Sequence, residues 1–176
     1  MAEVREYAFE RGKDVEASLL RYCGRGERIY SDGRKVLVRA CHDVFIKYLD
    51  KILLVTRNSE PAKGEIWPVG GGIERGVNTL DSLSKLTLGE VGLNLVPPLD
   101  FLGMVRFFWQ VSPEGIEKGT GADDLSLVYF AKAKGILSLD KLHTNPLLVS
   151  QKNYPVLRER FHPFVKDFLD KIIETL

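Results

Sequence analysis

Glu90 places a carboxylate where its neighbours predict an apolar helix face. The segment from Gly64 to Leu93 reads GEIWPVGGGIERGVNTLDSLSKLTLGEVGL. A helix starting near Thr79 and turning about 100° per residue gathers Leu80, Leu83, Leu86, Thr87, Val91 and Leu93 into one arc. Glu90 falls inside that arc, whereas Asp81 and Lys85 point away from it. An ionised carboxylate on a buried face is costly unless a cation or hydrogen-bond donors compensate it. The pattern therefore predicts a metal ion or a buried basic partner at Glu90, the alternative being a helix-end glutamate that reaches solvent. The glycines at 70, 71 and 72 would let backbone come close to a metal or phosphate, and a plain turn would use them equally well.

A glycine-bearing strand and a capped helix must position Glu90. IWPVGG reads as a short strand running into the glycines, Asn78 or Thr79 can cap the helix, and Gly92 sits where a helix stops. Upstream, KVLVRACHDVFIKYLDKILLVTR contains two β-branched runs with a turn near Leu49, Asp50 and Lys51, which predicts a hairpin. Downstream of VPP, LDFLGMVRFFWQV and LSLVYFAKAKG are strand-like. The polar SPEGIEKGTGADD between them is longer than an ordinary hairpin connection, as a site-covering loop or a disordered one would be. Phe107 and Trp109 alternate on the first of these strands, a core pattern that can also stack on a base or sugar.

FHPFVKDFLDKIIETL sets Phe164, Val165, Phe168, Leu169, Ile172 and Ile173 at helical spacing, with Pro163 in the first turn. Near the start, DVEASLLRYCGRGERIY predicts a short helix from Asp14 ended by Gly24 or Gly26, within an N-terminal extension over residues 1–34. Strands around a central helix, with a second helix closing the other side, predict a single α/β domain over residues 1–176. Its architecture is a three-layer α/β/α sandwich on a mixed β-sheet.

Composition excludes several function classes. A formal charge of +1, with no run of like charges, argues against nucleic acid as a partner. No stretch approaches the roughly 18 apolar residues of a membrane span, so no membrane partner and a cytoplasmic location are expected. Cys23 and Cys41 have no metal-ligand or redox spacing and read as buried apolar thiols.

Anchored on Gly71 and Gly92, the segment resembles the Nudix box, GX5EX7REUXEEXGU with U a bulky aliphatic residue. Val77 stands at the first glutamate, Lys85 at the arginine, and Leu86 and Gly89 at two further glutamates; Glu90 is retained. One branch of the superfamily, the GDP-mannose mannosyl hydrolases, departs similarly. Its helix reads approximately RLTxAELGL, where this chain runs from Lys85 to Leu93 as KLTLGEVGL. Arg57, Pro61, Ala62, Gly64, Trp67, Gly70 and Gly71 repeat that branch's upstream order, so the resemblance covers roughly Asp43 to Leu93.

The resemblance implies a Nudix-like fold and hydrolysis of a nucleotide sugar, with water attacking the anomeric carbon and a nucleoside diphosphate leaving. It implies Mg2+, or Mn2+, held by Glu90 and the carbonyl of Gly71. Arg57 and Lys85 would bind the diphosphate, and Asp43 would act near the substrate. His143 takes the place of the general base, with Leu142 where those enzymes carry a metal-binding glutamine; His162 is the second choice and His42 reads as structural. A homodimer is also implied. Two alternatives stay open: attack at phosphorus using Asp123, Asp124 or Glu117 of the polar loop, and a degenerate domain that binds a nucleotide or nucleotide sugar without turnover.

Overall fold

β-branched residues alternate along Arg39–Tyr48, and that run is the central strand of the sheet. The computed structural model describes residues 4–8, 38–74, 77–109 and 122–176. In chain order the strands are β1 (Val4–Ala8), β2 (Arg39–Tyr48), β3 (Lys51–Arg57), β4 (Ile66–Trp67) and β5 (Val69–Gly72). Helix α1 (Thr79–Val91) follows, then β6 (Leu93–Trp109), β7 (Ala122–Gly135) and β8 (His143–Val149). A short helix α2 (Tyr154–Leu157) leads through a 3-10 turn to α3 (Pro163–Ile172).

The described strands form one mixed sheet in the order β1-β6-β7-β2-β3-β4, with β5 added to β2 and β8 to β3. β2 runs parallel to β7 and antiparallel to β3 and β5. Strict alternation on β2 divides the core. Val44 and Ile46 pack with Leu83 and Val91 of α1, while Phe45 packs with Phe164 and Phe168 of α3. This is the expected α/β/α sandwich, with α1 on one face and α2 and α3 on the other.

The hairpin closes through Leu49 (φ 49°) and Asp50 (φ 56°), the pair of positive φ values that a two-residue turn between twisted strands requires. Asn78 caps α1, accepting the Asp81 N–H at 3.0 Å, and Gly92 ends it in the left-handed region. All six apolar positions predicted for the C-terminal helix are buried.

Several expectations are corrected. Leu93 begins β6 instead of extending the helical arc, Ser82 is buried on α1, and Leu80 and Leu86 are only partly so. β6 begins at Leu93, upstream of the predicted strand, and takes in Pro97 and Pro98, where the register shifts between Val96 and Asp100. Asp123 and Asp124 belong to β7, because their side chains find arginine partners across the sheet. β1 lies inside the predicted extension and pairs in parallel with β6. The helix predicted from Asp14, Cys23 and Glu117 lie outside the described residues. Among the described residues, no helix is long and apolar enough to cross a membrane.

Candidate active site

Asp43 sits in the middle of β2, where the strand is buried on both faces, and it is 6% exposed. Two neighbours make that position possible. Across the ladder stands Gly70, where a Cβ would lie 2.0 Å from Asp43 Oδ1, so only glycine leaves space for the carboxylate. On the other side Ser126 of β7 donates its hydroxyl proton to Asp43 Oδ2. Burial pushes the Asp43 carboxyl up to about 6, against the opposing pull of Ser126 and the Arg57 charge. A carboxylate so placed titrates close to the range useful for a general base.

Glu90 comes from the last turn of α1 and is 19% exposed at its side chain. Burial pushes it up to about 8, with the Arg57 charge and a backbone hydrogen bond from Gly70 pulling the other way. Its Oε2 is buried without a hydrogen-bond partner among the described residues. The helical wheel thus placed this carboxylate correctly on a buried face.

Arg57, at the end of β3, links the two acids. Burial lowers its pKa, and the negative charges that oppose this are Asp43 first and Glu90 second. Its Nε donates to the Pro61 carbonyl at 3.0 Å, which orients the guanidinium from its own loop.

His143 opens β8 in register with Arg57 and is 6% exposed. Nδ1 lies 2.8 Å from Asp140 Oδ1, and Nε2 lies 3.7 Å from Glu90 Oε2. The segment that carries it is fastened to the end of α1: Ser138 N–H donates to the Val91 carbonyl at 3.0 Å and Asp140 N–H to the Glu90 carbonyl at 2.9 Å. Leu142, at the position of the resembled enzymes' glutamine, is 44% exposed and lines the cleft beside these groups.

That cleft has a volume of about 320 Å³, and Arg39, Asp43, Arg57, Trp67 and Trp109 contribute to its lining. Phe107 and Trp109 are stacked at 5.0 Å and 2% and 5% exposed, so they serve as cleft wall and core together. Arg39 holds Asp124 through two hydrogen bonds of 2.8 and 2.6 Å, and Trp109 Nε1 donates to the same carboxylate at 2.7 Å. Arg106 holds Asp123 in the same forked manner, at 3.0 and 2.5 Å. The two aspartates proposed as alternative catalytic groups are therefore neutralised by arginine forks.

Two predicted contacts are not assembled. Lys85 is 72% exposed and its Nζ is paired with Glu74 at 2.8 and 3.0 Å, away from the cleft-lining residues. The hydrogen bond from Ile73 N–H to the Ala40 carbonyl sets the alternation of the β2–β5 ladder. By that alternation the backbone of Gly71 points at His42, and that of Gly70 points outward to Glu90. Gly71 lines the cleft, and a Cβ there would meet the Cδ1 end of Leu86 of α1 at 2.8 Å.

His42 is fully buried, 3.4 Å from Ser82 Oγ, and burial pushes its pKa down to about 4, in keeping with a structural role. His162 caps α3, its Nδ1 accepting the Phe164 N–H at 3.2 Å, which explains its burial without proton transfer. Sequence reasoning missed Asp140, Ser126 and Arg39. Of these only Asp140 left a local signal, three residues before His143 in a turn.

The donor set suits a divalent cation. Among the described residues no three His, Cys, Asp or Glu side chains converge. Mg2+ nevertheless commonly takes only one or two protein carboxylates, and the unpartnered, buried Oε2 of Glu90 is such a donor.

No family model matches the chain, and no curated protein matches it. Solved structures do. A Nudix-family hydrolase from Clostridium perfringens superposes with a TM-score of 0.60 at 17% identity, over 79% of this chain and 98% of that one. The MutT protein from Methanosarcina mazei Go1 gives 0.59 at 19% identity, over 76% and 91%. A bifunctional NMN adenylyltransferase/ADP-ribose pyrophosphatase from Francisella tularensis, complexed with AMP and a Mn ion, gives 0.57 at 14% identity. There the match covers 79% of this chain and 42% of that one. On this evidence the chain has the Nudix hydrolase fold.

Proposed function

We propose that the protein is a divalent-metal-dependent hydrolase of nucleotide sugars, releasing a sugar and a nucleoside diphosphate. The observation that carries this reading is the gathering of two largely buried carboxylates, Asp43 and Glu90, whose charges both act on Arg57, with Asp43 and Arg57 lining one cleft. Arg57 binds the diphosphate by charge-assisted hydrogen bonds, and the aromatic wall of Trp67 and Trp109 receives a flat or apolar part of the substrate. Asp43 takes the proton of the attacking water. The water oxygen bonds to the anomeric carbon, the bond from that carbon to the diphosphate oxygen breaks, and its electron pair leaves with the nucleoside diphosphate. Glu90 would hold the cation, which when bound supplies positive charge against the departing diphosphate. The Francisella neighbour, of which this chain matches 42%, is named as an ADP-ribose pyrophosphatase as well as an adenylyltransferase, which supports a nucleoside diphosphate derivative as substrate. A homodimer, which the box resemblance implies, accompanies the reading.

Attack at phosphorus is the second reading, supported by the pyrophosphatase activity named for that neighbour. The arginine forks on Asp123 and Asp124 weigh against it for those two carboxylates. A panel of nucleotide sugars and nucleoside diphosphate derivatives, incubated with Mg2+ or Mn2+ in oxygen-18 water, tests both. Label in the sugar hydroxyl is the expected result, and label in phosphate transfers the assignment to phosphorus. Calorimetric binding without turnover would make the domain a nucleotide-binding module.

A further inference from the structure

His143, which follows the cleft-lining Leu142, is a buried imidazole between two carboxylates. Asp140 Oδ1 already accepts the Leu142 N–H at 2.9 Å, so it faces His143 as an acceptor, and the ring proton belongs on Nδ1. In the neutral ring Nε2 then carries a lone pair, and it faces the unpartnered Oε2 of Glu90. When Glu90 is a carboxylate, the two are acceptors pointed at each other, and they repel unless something positive lies between them. The separation of 3.7 Å is beyond a hydrogen bond, so a shared proton does not account for it. Two donors that each bind one small divalent cation at about 2.1 Å stand roughly 3 to 4 Å apart. A histidine that ligates a metal nearly always donates its other ring N–H to a carboxylate or carbonyl, which fixes its tautomer and tilt. Asp140 stands in that position, held in turn by its own N–H bond to the end of α1.

We infer that His143 Nε2 and Glu90 Oε2 together ligate the divalent cation, with Asp140 as the positioning residue for the imidazole. This rests on the proposed metal at Glu90 and assigns His143 away from the general-base role, since a coordinated Nε2 cannot accept a proton. The histidine replaces carboxylates lost from the box. A mixed imidazole and carboxylate pair also favours Mn2+ over Mg2+, which prefers oxygen.

Pulsed electron paramagnetic resonance of the full chain loaded with Mn2+ tests this without reference to turnover. The wild type should show electron spin-echo modulation from a directly bound nitrogen. His143→Gln should lose that modulation and bind Mn2+ at least tenfold more weakly. Asp140→Asn should keep the modulation while affinity falls about 10- to 100-fold. Circular dichroism would check that each variant folds; should His143→Gln not fold, the wild-type spectrum and Asp140→Asn still decide. A nitrogen-free spectrum from a wild type whose Mn2+ binding is abolished by Glu90→Gln overturns the His143 assignment alone. Mn2+ binding that Glu90→Gln leaves unchanged overturns both this inference and the proposed metal site.

Discussion

On the α3 face of the sheet, Phe45, Phe161, Phe164 and Phe168 are fully buried, and their rings meet edge-on or offset, as between Phe164 and Phe168 at 5.4 Å. On the α1 face, His42 Nδ1, Thr87 Oγ1 and Glu90 Oε2 are buried without a hydrogen-bond partner among the described residues. Each such atom costs about 1–3 kcal/mol relative to a satisfied one. The aromatic face offsets that cost by burying large side chains without polar atoms. The orphaned polar atoms, Glu90 among them, thus lie on the α1 side, while the cleft opens on the α3 side, where Asp43 shares a face with Phe45 and the aromatic core supplies Trp67 and Trp109.

The strongest way to break this contrast acts on the aromatic side. Phe168→Ala should destabilise the fold by about 3–5 kcal/mol, lowering the melting temperature by roughly 6–20 °C for a domain of this size. Activity per folded molecule should stay near that of the wild type. A loss of kcat/KM on the same scale, measured well below the melting transition, would show that the aromatic packing and the cleft are not separable.

Asp43→Asn sharpens the contrast by changing a polar group instead of an aromatic one, with a fall of about 10²- to 10⁴-fold in kcat/KM and little loss of stability. Wild-type kcat/KM should rise with pH through about 6, and the variant should lack that limb. The stability dependence has the opposite direction. Because the folded-state pKa is raised from 3.8 to about 6, the contribution of Asp43 is fully favourable below 3.8 and is lost as pH climbs through 6. Thermal melts across that window should show the wild-type decline absent from the variant. The smallest effect belongs to Lys85→Ala, since the lysine is exposed and pairs only with Glu74 among the described residues. Stability should move by less than about 0.5 kcal/mol and kcat/KM should not change; a tenfold fall would return Lys85 to the substrate site.

The parts of this arrangement legible in the sequence are those with local periodicity. The stripe from Phe164 to Ile173, the turn at Leu49 and Asp50, and the exposed direction of Lys85 follow from spacings of two to four residues. Glu90 was visible for the same reason, as a charge that interrupts a 3.6-residue pattern. The partners that give the site its character come from far along the chain: Ser126 lies 83 residues from Asp43, and Asp124 lies 85 from Arg39. Only the parallel pairing of β2 with β7 brings them together. β8, short and polar at its start, carries no strand signature beyond its last apolar residues, so the approach of His143 to Glu90 was invisible as geometry.

The overlap that any side chain at position 70 would have with Asp43 bears on how this protein can vary. The two positions occupy one volume between them, so they form a single heritable character although 27 residues part them. In a library randomised at both, survivors that keep aspartate at 43 should carry glycine at 70, and bulk at 70 should appear only beside a diminished residue at 43. Lineages that have exchanged the box glutamates for other groups would be recognised better by that cross-strand couple than by the box itself.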